Sequence, residues 1–155
     1  MALKRVVVTG LGALTPIGNN LDDFWTGLIE GKSGAAPITY FDTEKFKTKF
    51  ACELKNFDVS LHLDRKQQRK MDRFTQYGMV STAEAIEDSG LDLESVDKLR
   101  VGVIWGSGIG GIETFQNQML DHASGDGTPR FNPFFIPKMI ADIIPGYISI
   151  KYGCL

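Results

Sequence analysis

Two glycine-rich turns and one basic run hold most of the groups in this sequence that could do chemistry. Lys4 to Gly18 (KRVVVTGLGALTPIG) sends an apolar strand into a glycine turn, a geometry in which backbone amides can cradle a phosphate at a helix N-terminus. A dinucleotide-binding turn needs a small third residue where the helix packs on its strand. Counting from Gly10 and Gly12, that position holds Thr15, followed by Pro16, which weakens the nucleotide reading. Gly106 to Gly111 (GSGIGG) follows a second apolar run and opens a helix, so its amides could also hold an anion. It lacks the Lys-Ser/Thr pair of a phosphate loop, which favours tight packing or the wall of a substrate tunnel.

Arg65, Lys66, Arg69, Lys70 and Arg73 recur at helical spacing, which puts several charges on one face. Such a face is either simply solvated or a docking patch in which charge steers an acidic partner. His62 and His122 have no carboxylate or cysteine at ligand spacing, which disfavours metal binding and catalysis by either. Cys52 and Cys154 form no metal or disulfide pattern, which fits a reducing compartment, and Cys154 is a poor nucleophile candidate with one residue after it. Phe131, Phe134 and Phe135 surround Pro133; core packing is one reading, and an interface or apolar pocket for one of the adjacent pair is the other, because neighbours in a regular element face different ways.

These groups need elements to position them. At 155 residues and 43% hydrophobic content the chain suits one compact domain or half of a duplicated one. A formal charge of -2 and a pI near 5.7 give no reason to expect nucleic acid. No run approaches a membrane span or a signal peptide, so cytoplasm is the expected location. Val6 to Val8 and Val101 to Trp105 are continuous apolar runs, expected as strands buried on both faces. Phe46 to Leu54 alternates with Lys47, Lys49 and Glu53, which predicts a strand with one wet face.

Asn20 is a good N-cap for a helix with Leu21, Phe24, Trp25, Leu28 and Ile29 on one face and Gly31 at its end. Asp64 to Ser89 reads as helix broken near Asp72, with Gly90 as a left-handed cap. A helix follows from about Gly111 to His122, then a loop at Ala123 to Arg130, then an apolar helix over Pro133 to Tyr152 interrupted at Pro145. The order is α/β with a mainly parallel sheet.

Taken together the segments resemble the N-terminal half of the elongating, type II β-ketoacyl-acyl-carrier-protein synthases, condensing enzymes of the thiolase-like superfamily. The resemblance rests on RVVVTGLGALTPIGN at Arg5 to Asn19, FDT at Phe41 to Thr43, TKFA at Thr48 to Ala51, RKQQRKMDRFTQYG at Arg65 to Gly78, GSGIGG, and NPFFIPKMIADIIPGYISIKYG at Asn132 to Gly153. It implies the N-terminal βαβαβ portion of a layered α-β-α architecture, a single partial domain over residues 1–155. It also implies a decarboxylating Claisen condensation: an acyl chain passes from acyl carrier protein to a cysteine thiol, and malonyl-carrier protein loses CO2 to give the attacking carbanion. Neither metal nor nucleotide cofactor is implied.

By the same resemblance Ile109 gates the acyl pocket, and Phe134 and Phe135 lie near the pocket floor and dimer interface. Lys66, Arg69 and Lys70 receive the acidic carrier protein, with Arg130 extending the patch, which favours docking over a merely solvated face. Family members continue beyond the KYG at Lys151 to Gly153 to the nucleophilic cysteine, two histidines and a lysine. The expectation is therefore a portion without catalytic residues, in which Val6 to Val8 lacks the strand that lies beside it in the family. A noncatalytic module that binds carrier protein or pairs with a condensing-enzyme subunit is the alternative. Gly10, Gly12, Pro16 and Gly18 then read as a family-specific strand-to-helix connection.

Overall fold

The computed structural model describes residues 3–154, which form two compact units. Among the described residues, one comprises 3–57 and Ser81–Leu91, the other Asp58–Val80 and 92–154.

In the first unit, Asn20 caps α1 (Leu21–Ile29) as expected, its side-chain oxygen accepting from the Asp23 amide at 2.8 Å. Gly31, at φ +66°, takes the chain out of the helix through a left-handed turn. The apolar face does not form a core: Trp25, Leu28 and Ile29 are exposed, and the buried position is Gly27, set against Ile17. β1 (Ala36–Pro37) pairs antiparallel with β2 (Phe50–Ala51), Ala36 opposite Ala51. The strand expected over Phe46 to Leu54 shortens to β2, and its phenylalanines face outward. Local side-chain contacts shape this segment instead. Phe41 and Phe46 meet edge to face at 5.3 Å, and the Glu53 carboxylate accepts from both the amide and the hydroxyl of Thr39.

α3 (Arg73–Ser89) contributes its C-terminal part to this unit, and the opening glycine turn lies against it. A methyl group on Gly10 would overlap the Ala85 carbonyl oxygen, and one on Gly12 would overlap that of Ser81. Backbone approaches backbone here, so no side chain fits.

The second unit holds the core. Leu63, Met71, Met79, Ile144 and Ile148 are buried together, with Phe74, Val103, Trp105 and Tyr147 packed around them. Each large apolar side chain removed from water contributes about 1.5–3 kcal/mol. α2 (Arg65–Lys70) starts in a capping box: Asp64 accepts from the Gln67 amide at 2.8 Å and the Gln67 side chain accepts from the Asp64 amide at 3.0 Å. The chain extends at Met71, and Asp72 then accepts from the Phe74 amide at 3.2 Å as α3 begins. The expected break near Asp72 is therefore two helices, each with its own start.

α4 (Ile112–Ser124) follows the second glycine turn, and α5 (Phe135–Met139) and α6 (Ile143–Tyr152) follow the loop. The interruption expected at Pro145 falls earlier, between Met139 and Ile143. Pro137 and Pro145 each sit third in their helix, where an amide has no intrahelical acceptor to lose. Gly153 ends α6 at φ +69°, its amide donating to Ser149 at 2.8 Å.

The expected parallel sheet is absent as a hydrogen-bonded ladder among the described residues, where β1 and β2 form the one sheet. Val6 to Val8 is exposed, Val6 to 90% of its surface. Val101 to Trp105 is one-sided, with Val103 and Trp105 packed on the core and Ile104 98% exposed. A strand buried on both faces needs neighbouring strands, and the described residues place no hydrogen-bonded strand against either segment.

Candidate functional site

The cations of α2 converge on a cleft of about 610 Å³ lined by Arg65, Lys66, Arg69 and Lys70 on one side and Asn132, Pro133 and Phe134 on the other. Asp64 and Gln67 fix the start of the helix. The spacing of 65, 66, 69 and 70 then turns all four cations toward neighbouring ground. Among the described residues none of the four has a carboxylate within ion-pair reach. The Lys70 ammonium stands over the Phe134 ring at 5.5 Å, an attraction between a cation and the negative face of the ring. The cleft is thus an unneutralised positive surface with an aromatic wall, suited to an anionic partner that also offers apolar contact.

The two adjacent phenylalanines diverge, as neighbours must. Phe134 faces the cleft, whereas Phe135 stacks with Phe115 at 6.3 Å and with Phe131 at 5.7 Å. The His122 ring lies 5.4 Å from Phe131 at the edge of this aromatic row. Ile109 is 72% exposed on the glycine turn and lines neither this cleft nor the others described below. Arg130 lies in the exposed loop and pairs with Asp126 at 3.1 Å. Lys66, Arg69, Lys70 and Phe134 therefore come together, while Ile109, Phe135 and Arg130 stand apart from them.

The glycine turn of the first unit is closed to phosphate. Glu84 on α3 accepts from the Ala13 amide at 2.7 Å and from the Leu21 amide at 2.6 Å, and Asp88 accepts from the Leu11 amide at 2.8 Å. The donors a phosphate would need are taken by carboxylates, whose charge would also repel it. Sequence reading missed this pair, although Glu84 and Asp88 at i and i+4 mark one acidic helical face. A cleft of about 460 Å³ beside this turn includes Asn19, Lys32 and Lys55.

The second glycine turn is held by its neighbours. The Gly111 amide donates to Met139 at 3.0 Å, and Gly110, at φ +85°, leaves no space for a side chain beside the Met139 carbonyl. Tight packing thus holds at Gly110 and Gly111, whereas a methyl on Gly106 or Gly108 would meet nothing within 4 Å. Among the described residues no group of three His, Cys, Asp or Glu side chains could hold a metal ion, and no helix is long and apolar enough to cross a membrane.

The family described as beta-ketoacyl synthase, N-terminal domain, matches residues 3–154, and the chain belongs to it. It is 46% identical over 153 residues to the 3-oxoacyl-[acyl-carrier-protein] synthase 2 of Staphylococcus aureus strain COL, covering 97% of this chain and 36% of that protein. It is 45% identical over 152 residues to the synthase of the same name from Coxiella burnetii, covering 98% and 36%. The chain thus spans little more than a third of the length of these relatives.

Solved structures agree on the fold. The ishigamide ketosynthase/chain length factor superposes with a TM-score of 0.87 at 27% identity, covering 99% of this chain and 38% of that one. A type II polyketide synthase ketosynthase, solved in complex with its acyl carrier protein, gives 0.79 at 26% identity, covering 97% and 39%.

Proposed function

We propose that this chain forms the N-terminal portion of an elongating 3-oxoacyl-acyl-carrier-protein synthase of fatty-acid synthesis, acting in the cytoplasm as a homodimer. The complete enzyme extends an acyl chain by decarboxylating condensation with malonyl-carrier protein. This portion supplies the surface on which the carrier docks and part of the acyl pocket wall at Ile109, Phe134 and Phe135. The observation that carries the reading is the cleft at α2. Lys66, Arg69 and Lys70 are left without carboxylate partners among the described residues, beside the exposed ring of Phe134.

Acidic side chains of a carrier protein would be drawn to this surface from a distance and oriented by it. Such steering acts on association rate more than on final affinity and weakens with salt. Arg130 lends less charge, since Asp126 already offsets it. Measuring carrier-protein binding across a salt series is the test. Reversing the charge of Lys66, Arg69 and Lys70 should weaken binding and flatten its salt dependence; unchanged affinity and slope would remove the reading.

A further inference from the structure

α2 has a second flank. Arg65 and Arg69 line not only the cleft beside Phe134 but also another, of about 530 Å³, on whose walls stand Asp72, Arg73, Glu113 and Lys138. The charges in this second cleft can be followed one by one. Asp72 is buried, and its two oxygens accept from the Phe74 amide and the Thr114 hydroxyl. Glu113 pairs with Arg73 at 3.3 Å. Both carboxylates are engaged. Arg65, Arg69 and Lys138 remain with no carboxylate in ion-pair reach among the described residues.

We propose that this second cleft receives an acidic side chain of the carrier protein, so that the carrier straddles α2. Lys138 then becomes a docking residue, and Glu113 limits docking by holding Arg73. The inference rests on the reading of α2 as the carrier's landing site. An acidic protein segment fits better than a free small anion because Arg65 and Arg69 are common to both clefts, so one partner that crosses the helix meets every unpaired cation on it. Lys138 lies on α5, some 70 residues from α2 in sequence, and only the fold brings it to the cleft. Glu113 opposes the partner's charge twice: it occupies Arg73, and its own carboxylate faces any incoming acid.

The test is acyl-carrier-protein affinity across a salt series for Lys138→Glu, Lys138→Ala and Glu113→Gln in the full chain, with Lys66→Glu as reference and circular dichroism to verify folding. Lys138→Glu should weaken binding about three- to tenfold and lower the salt slope, Lys138→Ala should do so less, and Glu113→Gln should tighten binding about two- to threefold. If Lys66→Glu weakens binding while the Lys138 and Glu113 variants match wild type, the second cleft is not a docking surface, although α2 remains one. If Lys66→Glu also has no effect, the landing site itself is wrong. Thermal stabilisation by inorganic phosphate that Lys138→Ala abolishes, with carrier affinity unchanged, would make the cleft a small-anion site and overturn the inference.

Discussion

Thr114, in the first turn of α4, donates its hydroxyl to the buried carboxylate of Asp72, the residue whose other oxygen starts α3. One side chain thus serves two helix N-termini, each of which favours negative charge. Asp72 also lies close to Gly111, so the carboxylate, the second glycine turn and α4 are fixed together.

Thr114→Val removes one donor from a buried charge while keeping the side chain's shape. A loss of about 1.5–3 kcal/mol in unfolding free energy is expected. Urea denaturation measures it, and an unchanged midpoint would show that water replaces the hydroxyl.

Glu84→Ala should loosen the first glycine turn. Two amides lose a charged acceptor, for a cost on the order of 2–4 kcal/mol. Hydrogen exchange should quicken at Ala13 and Leu21 but not at Gly111, whose acceptor is the Met139 carbonyl. Uniform acceleration would point to general destabilisation instead. Mononucleotides and dinucleotides should give no thermal stabilisation of the native chain.

Gly12→Ala and Gly106→Ala make a matched pair. The first places a methyl into the backbone of α3 and should cost about 1–3 kcal/mol or more through overpacking. The second meets nothing within 4 Å and should be close to neutral. Equal effects would contradict the close approach of the turn to α3.

Stability should fall at alkaline pH through Tyr147. Burial holds its phenol above the ordinary value of 10.0, and its hydroxyl donates to the Lys70 carbonyl at 3.4 Å. Above pH 10 the unfolded chain gives up this proton before the folded one, so the folded state binds more protons and stability declines as pH rises. Tyr147→Phe should flatten that decline between about pH 9 and 11 in denaturation midpoints.

What could be read from the sequence was mostly local. Asn20, Gly31 and Gly90 announce helix ends because capping and left-handed turns are decided within a few residues. The basic face of α2 and the divergence of Phe134 from Phe135 follow from helical geometry in the same way. Strand identity is not local. Val6 to Val8 has the composition of a buried strand, but composition cannot create the neighbours that a ladder requires. The same holds for Lys138 and Glu113, whose relation to α2 exists only once α4 and α5 have packed. Glu84 was legible in part: its helical face could be read, but not the turn whose amides it holds.

The interruption between α2 and α3 at Met71 has a consequence for how the surface charge can change over generations. Because α2 is opened by its own capping box and closed before α3 begins, its four cations project from a segment with no buried residue of its own. Substitutions there would change the charge of this surface while leaving the apolar contacts of α3 and α6 as they were. The charge of this surface is therefore free to drift separately from the stability of the scaffold that carries it.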